Sequence, residues 1–123
     1  MEKFADLQYV RPDMEKVFAR VSGDIAALKK AKSYEEFKNA YMDFVEADTE
    51  LETAKTVAHI RNTINLLDSF YEGEMAYFNS QMPKYEILKK EMGEVIVASP
   101  FKAEMEKEFG AILIQNMEAQ KQL

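Results

Sequence analysis

Side chains able to carry out chemistry are scarce in this sequence of 123 residues. It contains no cysteine and a single histidine, His59, so disulfides, thiolate nucleophiles, Cys-ligated zinc and iron–sulfur clusters are excluded. A site that needs two imidazoles, such as an H-E-x-x-H zinc motif, cannot be built from one copy of the chain. Thr56 stands three residues before His59, where a Glu-x-x-His metal motif requires glutamate. We therefore predict a structural His59, partly buried and hydrogen-bonded near a helix end.

Carboxylates are the other group that could form a site. An acidic run places a carboxylate at every second position from Glu46 to Glu52. Residues two apart on a helix point to different faces, and no EF-hand loop accompanies the run, so a solvated helix face is the favoured interpretation. A hydrolase built on Glu72 and Glu74 is weakly supported, because glutamates on a surface helix lack the surroundings that raise a carboxyl pKa. The sequence predicts neither a catalytic residue nor a metal ligand.

The composition excludes further classes of function. Sixteen Lys and Arg against 22 Asp and Glu leave a net charge of −6, which disfavours nucleic acid, since phosphate binding needs a basic face. The longest apolar runs, such as residues 95–98, fall far short of the roughly 20 residues of a membrane span, and residues 1–7 lack a signal-peptide core. With 47% hydrophobic and 31% charged residues, we expect one ordered, cytoplasmic domain over 1–123, without nucleic-acid or membrane partners.

The elements that position these side chains are predicted to be helices. Only four glycines and three prolines interrupt the chain, and the segments between them have helical periodicity. This pattern predicts an all-α fold of four to five mostly long, antiparallel helices forming helical hairpins or a bundle. Residues 1–11 are expected to form an extended lead-in, in which Phe4, Leu7, Tyr9 and Val10 are available to pack against the helices.

The first helix is predicted over about 12–31. Pro12 suits its first turn, and Asp13 and Glu15 lie favourably at the positive end of its dipole. Its apolar positions form one stripe: Met14, Val17, Phe18, Val21, Ile25 and Leu28.

The second helix begins with a capping-box pattern. The Ser33 hydroxyl is expected to accept from the backbone three residues on, and Glu36 to reach back to the cap. A connection of one or two residues after the first helix implies an antiparallel hairpin. We predict that this helix runs to about 59–61 and that the chain bends over 62–65.

A third helix is predicted from Leu67 onward. Pro83 lies inside it and predicts a kink or break near 79–83. Ser99 and Pro100 then repeat a cap-plus-proline pattern before a last helix, which Gly110 is expected to bend. We interpret the apolar stripe of the third helix as core packing: Leu67, Tyr71, Met75, Phe78, Met82, Tyr85, Leu88, Met92 and Ile96.

Residues 60–78 stand out from ordinary helical sequence. The segment crosses the predicted bend with closely spaced polar residues and then becomes rich in aromatic side chains. An ion pair between Arg61 and Asp68 is expected to brace the bend. We take five residues as a candidate structural signature: His59, Arg61, Asn65, Asp68 and Tyr71.

The segments that carry a family resemblance are 9–16, 31–36, 58–63, 68–71 and 99–110. In their order and spacing the chain resembles the amino-terminal region of the oligoendopeptidase F family of zinc metallopeptidases, relatives of thimet oligopeptidase. The resemblance covers most of this chain but only a small first part of a family member.

The resemblance implies hydrolysis of peptide bonds in short peptides, with zinc held by the two histidines of H-E-x-x-H and a downstream glutamate. None of those positions lies in this chain, so the catalytic domain is absent and no family catalytic or metal residue carries over. The chain alone is expected to be inactive and to hold no cofactor. Its implied role is a helical scaffold and one wall of the channel that admits short peptides.

Two explanations of the shortness stay open. The chain is either an amino-terminal piece of a longer peptidase or a gene product that ends here, and the piece is favoured because residues 112–123 stop within helix-compatible sequence. In both cases uncovered apolar surface predicts self-association, as a dimer through the long helices, or docking to a catalytic domain. Short peptides are expected partners of the full enzyme only. The alternative is a stand-alone helical module whose Met- and Tyr-rich face binds a partner helix.

Overall fold

The computed structural model describes residues 8–121, so the predicted packing of Phe4 and Leu7 lies outside the described residues. Five helices occupy most of this range: α1 Met14–Lys30, α2 Tyr34–Ile64, α3 Ser69–Ala98, α4 Lys102–Phe109 and α5 Ala111–Lys121. Residues 8–121 contain no strand. The predicted all-α fold is confirmed.

The first two helices form the predicted hairpin. Asp13 caps α1 by accepting from the Lys16 backbone N–H at 3.3 Å, so the helix begins at Met14 and Pro12 precedes it. The apolar stripe of α1 is buried apart from Val17, which is half-buried. Residues 31–33 connect α1 to α2, and the two helices pack against each other.

The second helix begins with side-chain caps and ends later than expected. Ser33 Oγ accepts from the Glu36 backbone at 3.2 Å, and Glu36 Oε2 accepts from the Lys32 backbone at 2.8 Å, one residue earlier than a standard capping box. The helix continues past the predicted end at 59–61 to Ile64. Its 31 residues span about 46 Å at 1.5 Å per residue.

The third helix continues through Pro83, so the predicted break is wrong. A proline inside a helix costs about 3 kcal/mol through a lost hydrogen bond and a steric clash. Phe78 and Tyr85, on either side of the proline, are fully buried, and their packing offsets that cost. The Tyr85 hydroxyl also donates to Asp48 of α2 at 2.6 Å. The predicted stripe is buried or half-buried from Tyr71 to Ile96, which confirms the assignment of these positions to the core. The assignment of Leu67 is wrong: α3 begins at Ser69, and Leu67 lies in the turn before it and is exposed.

The predicted last helix is two helices. Gly110 has φ +100°, a conformation that favours glycine, and it ends α4 before α5 begins. Ser99 Oγ donates to the Ile96 carbonyl at 2.7 Å and accepts from the Phe101 backbone at 3.2 Å. Ser99 therefore closes α3, and Phe101 occupies the position before α4 at which Ser99 was expected.

The last two helices pack back onto the bundle. A Cβ atom at Gly93 of α3 would lie 3.3 Å from Met117 Cγ of α5, so glycine permits this close approach. Phe37 of α2 lies 5.2 Å from Phe101, centroid to centroid, and contributes to the core where α4 begins. Across residues 8–121, none of the helices combines the length and the apolar character needed to cross a bilayer.

Candidate functional site

The structural signature lies around the connection between α2 and α3. Arg61 Nη1, near the end of α2, donates to the Tyr71 hydroxyl in the first turn of α3 at 3.0 Å, and the guanidinium carbon lies 5.7 Å from the centre of the Tyr71 ring. Asp68 Oδ1 is instead hydrogen-bonded to the backbone of α3, and the expected ion pair between Arg61 and Asp68 is not formed within the described residues. Arg61 joins the two helices through Tyr71.

Asn65 and Asp68 shape the connection itself. Asn65 Oδ1 accepts from the Leu67 backbone at 3.2 Å, and the Asn65 carbonyl accepts from the Asp68 backbone at 3.2 Å. Asp68 Oδ1 accepts from the Phe70 backbone at 2.9 Å and so caps α3. Asn65 and Asp68 are therefore turn and cap residues.

His59 does not join the other signature residues. Its side chain is exposed on α2, so the prediction of a partly buried imidazole is wrong. The His59 carbonyl accepts from Thr63 Oγ1 at 2.9 Å, one turn later. The error arises from the direction of the side chains around the helix axis. Val57 and Ala58 lie on the buried face of this turn, and His59 points away from that face.

Glu74, which the sequence analysis placed on a surface helix, is buried at the centre of a polar cluster in the structure. Its side chain is buried and accepts from the Tyr9 hydroxyl at 2.8 Å and from Arg11 Nε at 3.0 Å, while Arg11 Nη2 donates to its second oxygen. Hydrogen bonds from Arg11 hold the pKa of the Glu74 carboxyl below its usual value, against the opposing effect of burial. Glu74 falls between Tyr71 and Phe78 at helical spacing, and this placement on the core face was the available signal.

The lead-in is fastened to α3 around this carboxylate. The Arg11 guanidinium carbon lies 4.1 Å from the centre of the Tyr77 ring, and the Tyr9 and Tyr71 rings meet edge to face at 5.7 Å. Burial, together with the weaker effect of the hydrogen bond to Glu74, raises the pKa of Tyr9. We call these five residues, Tyr9, Arg11, Tyr71, Glu74 and Tyr77, the lead-in clamp.

A second polar cluster joins α1 to α2. Arg20 donates to both oxygens of Asp43, at 3.2 and 2.9 Å, and contacts Glu50 at 3.3 Å. Asp24, one turn along α1, is buried, and its Oδ2 meets no hydrogen-bond donor among the described residues. Burial, and next the hydrogen bond to Asp43, raises the pKa of Asp24 to about 7. Arg20 above all holds the pKa of Asp43 below its usual value, so the proton of this pair resides on Asp24.

Neither Glu74 nor Asp43 is suited to act as a general base. Both Glu74 oxygens accept hydrogen bonds and its pKa is lowered, while Asp43 is held by Arg20. A groove of about 330 Å³ runs between the lead-in and the α1–α2 hairpin, but the Arg20 and Glu50 side chains at its rim pair with each other. The described clusters therefore hold elements together and present no polar groups converging on a ligand.

The zinc ion expected for the resembling family does not fit the described residues. Within 8–121, no three His, Asp or Glu side chains are arranged to hold a metal ion, and the one imidazole is exposed. A catalytic zinc site takes three protein ligands of this kind. No step of a reaction is assigned to this part of the chain.

Comparisons with known proteins identify the family of the chain. The family model described as Peptidase M3 N-terminal domain matches residues 4–123. No match was found among curated proteins.

Similar solved structures are much longer than this chain. PZ peptidase A, solved with an inhibitor, is 29% identical with a TM-score of 0.92, over 96% of this chain and 21% of that one. A structure assigned as oligoendopeptidase F is 29% identical with a TM-score of 0.93, over 98% of this chain and 21% of that one. A similar assignment from Bacillus anthracis strain Ames, 24% identical over 98% of this chain and 22% of that one, shares the fold with a TM-score of 0.92. The chain thus spans about a fifth of the length of these structures.

Proposed function

The chain belongs to the peptidase M3 N-terminal domain family, and on this basis we propose that it is the non-catalytic amino-terminal helical domain of a zinc-dependent oligoendopeptidase that hydrolyses short peptides. The observation that carries the proposal is the coverage of the structural alignments. The chain aligns over nearly its whole length with a fifth of each similar structure. Since its sequence contains no H-E-x-x-H motif, zinc and peptide-bond hydrolysis would belong to the remaining part of such an enzyme.

Within that enzyme, the domain would serve as scaffold and as one wall of the peptide channel. Two features support this role. Helices α2 and α3, of 31 and 30 residues, supply continuous surfaces more than 40 Å long at about 1.5 Å per residue. The lead-in clamp ties residues before α1 to α3 through contacts across more than 60 positions of sequence, which favours a rigid wall over a mobile one.

Isolated from the remainder, the chain would associate with itself as a dimer through its long helices. Met42 on α2 and Ile87 on α3 are exposed apolar side chains that support this expectation. Light scattering at micromolar concentration tests it, and a mass equal to one chain would contradict it. A cytoplasmic location is likewise part of the proposal and is tested by cell fractionation.

The test of the function compares this chain with a peptidase that contains it. Purified 123-residue chain is expected to hold no stoichiometric zinc and to leave a fluorogenic short peptide intact. The polypeptide of the same organism that carries H-E-x-x-H is expected to cleave that peptide when this domain is present, covalently or as an added chain, and to lose most activity without it. Zinc binding with peptide cleavage by the 123-residue chain alone would overturn the proposal.

The same material separates the proposal from the alternative of a stand-alone interaction module. Specific, stoichiometric capture of a protein that is no peptidase, together with indifference to the H-E-x-x-H polypeptide, would favour the module. Reading the coding DNA on both sides of the 123 codons gives an independent answer. A continuous reading frame into H-E-x-x-H supports the peptidase domain directly.

A further inference from the structure

Apolar side chains are exposed together at one end of the molecule, where α2 turns into α3. Leu67 is 97% exposed, Ile64 75% and Leu66 74%, and Ile60 and Phe70 are exposed beside them. We call these five residues the α2–α3 tip. The other exposed apolar side chains on helices, such as Met42, Ile87 and Ile112, lie outside this segment of the sequence.

The tip is also poor in charge. From 60 to 70 the sequence is Ile-Arg-Asn-Thr-Ile-Asn-Leu-Leu-Asp-Ser-Phe, with two ionisable side chains among 11 residues, in a chain whose charged fraction is 31%. Arg61 donates to the Tyr71 hydroxyl, and Asp68 caps α3. The centres of protein interfaces are depleted in charge and enriched in apolar and aromatic residues, whereas solvated loops are not.

Hydrogen bonds hold the tip in one conformation. Asn65 binds the Leu67 backbone, the Asn65 carbonyl binds the Asp68 backbone, and Asp68 binds the Phe70 backbone. Behind the tip, Arg61 and Tyr71 join the two helices, and the Tyr9 ring contacts the Phe70 ring edge to face at 6.3 Å. The apolar side chains are therefore held outward, and binding them costs little additional ordering.

We propose that the α2–α3 tip docks into an apolar depression on the H-E-x-x-H-bearing part of an M3 peptidase; this inference rests on the proposed function. About four fifths of each similar structure lies outside the region that matches this chain, so the domain has a large partner to contact. A preorganised apolar projection with few charges is the kind of surface that fits a concave partner.

The size of the tip favours this occupant over a second copy of the chain. The tip offers five exposed apolar side chains, which is fewer than the roughly 20–30 residues a side of a standard interface between separate proteins. A partner in the same polypeptide needs less buried area, because the linkage supplies a high effective concentration. The tip also lies at a helix–helix turn and projects outward, and two projecting tips bury little of each other.

The absence of cysteine from the sequence provides the test. Leu67→Cys places one thiol at the tip, and Ile112→Cys places one at a comparably exposed position on α5. Each variant is first checked for an unchanged helical circular dichroism spectrum. It is then mixed with the H-E-x-x-H polypeptide of the same organism, at concentrations up to the roughly 1 mM that a short linkage would supply, and labelled with a maleimide. We expect labelling of Leu67→Cys to slow at least tenfold while that of Ile112→Cys stays within twofold. In a binding titration, Leu67→Glu should raise Kd at least tenfold and Ile112→Glu should leave it unchanged.

The outcomes distinguish the inference from the proposed function. Binding with equal labelling of both cysteines would overturn the docking role of the tip and leave the peptidase-domain proposal standing. No binding by either readout would overturn both. Concentration-dependent protection of Leu67→Cys without the peptidase polypeptide would show that a second copy covers the tip, and would overturn the assignment of the partner.

Discussion

Arg11 and Glu74 are 63 residues apart in sequence, yet the Arg11 guanidinium donates to both oxygens of the Glu74 carboxylate. The carboxylate is buried, whereas half of the Arg11 side chain is exposed, so one partner is taken from water and the other remains at the surface. Tyr9 donates to the same carboxylate. The pair fixes the lead-in against α3 and leaves Glu74 no role as a base.

Replacing Glu74 should destabilise the fold. Glu74→Gln keeps the shape but removes the charge from the hydrogen bonds with Arg11 and Tyr9, and we expect a loss of about 1–2 kcal/mol in the free energy of unfolding, because charge-assisted bonds contribute more than neutral ones. Urea denaturation measures the loss. Glu72→Gln, on the same helix but exposed, serves as the control and should change stability by less than about 0.5 kcal/mol. Equal effects of the two variants would contradict the clamp.

Asp24 should make stability depend on pH. Its folded pKa is about 7, so the folded chain keeps a proton that the unfolded chain releases near pH 4. The folded state binds more protons across that window, and stability falls as pH rises from about 4 to 7, by at most about 1.4 kcal/mol per pH unit. The pKa values of Asp43 and Glu74 are lowered, so these two groups make stability fall as pH decreases, and they do so only in more acidic solution.

Asp24→Asn tests the assignment because it fixes the neutral form. Urea denaturation at pH 5 and pH 8 should show a decline for the original chain and a flatter profile for the variant, which should be the more stable at pH 8. Glu86→Gln, an exposed carboxylate on α3, should leave the decline unchanged. A decline that persists in Asp24→Asn would assign the titration to another group.

Two glycines should respond to alanine in opposite directions. Gly110→Ala forces a side chain into a backbone with φ +100° and should cost about 1–3 kcal/mol. Gly23→Ala lies within α1, where the added Cβ meets no described atom within 4 Å, and should stabilise by about 0.5–1 kcal/mol. Thermal denaturation of both variants gives the sign, and a stabilising Gly110→Ala would exclude the observed junction between α4 and α5.

Alanine substitutions of a core leucine and of a tip leucine should differ in their effect on stability. Leu51→Ala removes a buried side chain of α2 and should cost about 2–5 kcal/mol. Leu67→Ala removes an exposed one and should change stability by less than about 0.5 kcal/mol. Chemical denaturation of the isolated chain compares them, and a large loss from Leu67→Ala would place that residue in a core or in a dimer interface.

The helices were predictable because their determinants are local. The stripe from Met14 to Leu28 and the Ser33 cap specify α1 and the start of α2 through neighbours within one turn. The exposed His59 shows the limit of that reasoning. Adjacent residues of a helix point in different directions around its axis, so His59 is exposed although its neighbour Ala58 is buried.

By itself, the sequence determined an all-α chain, its capped helices and the absence of an H-E-x-x-H motif, because periodicity, caps and composition are read from adjacent residues. Only the tertiary structure decided that Glu74 is buried with Arg11, that Asp24 meets Asp43, that α3 passes through Pro83 and that Leu67 faces outward. Each of those outcomes depends on groups brought together from distant positions. The packing of such groups outweighs the local preferences of about 1–3 kcal/mol from which a sequence is interpreted.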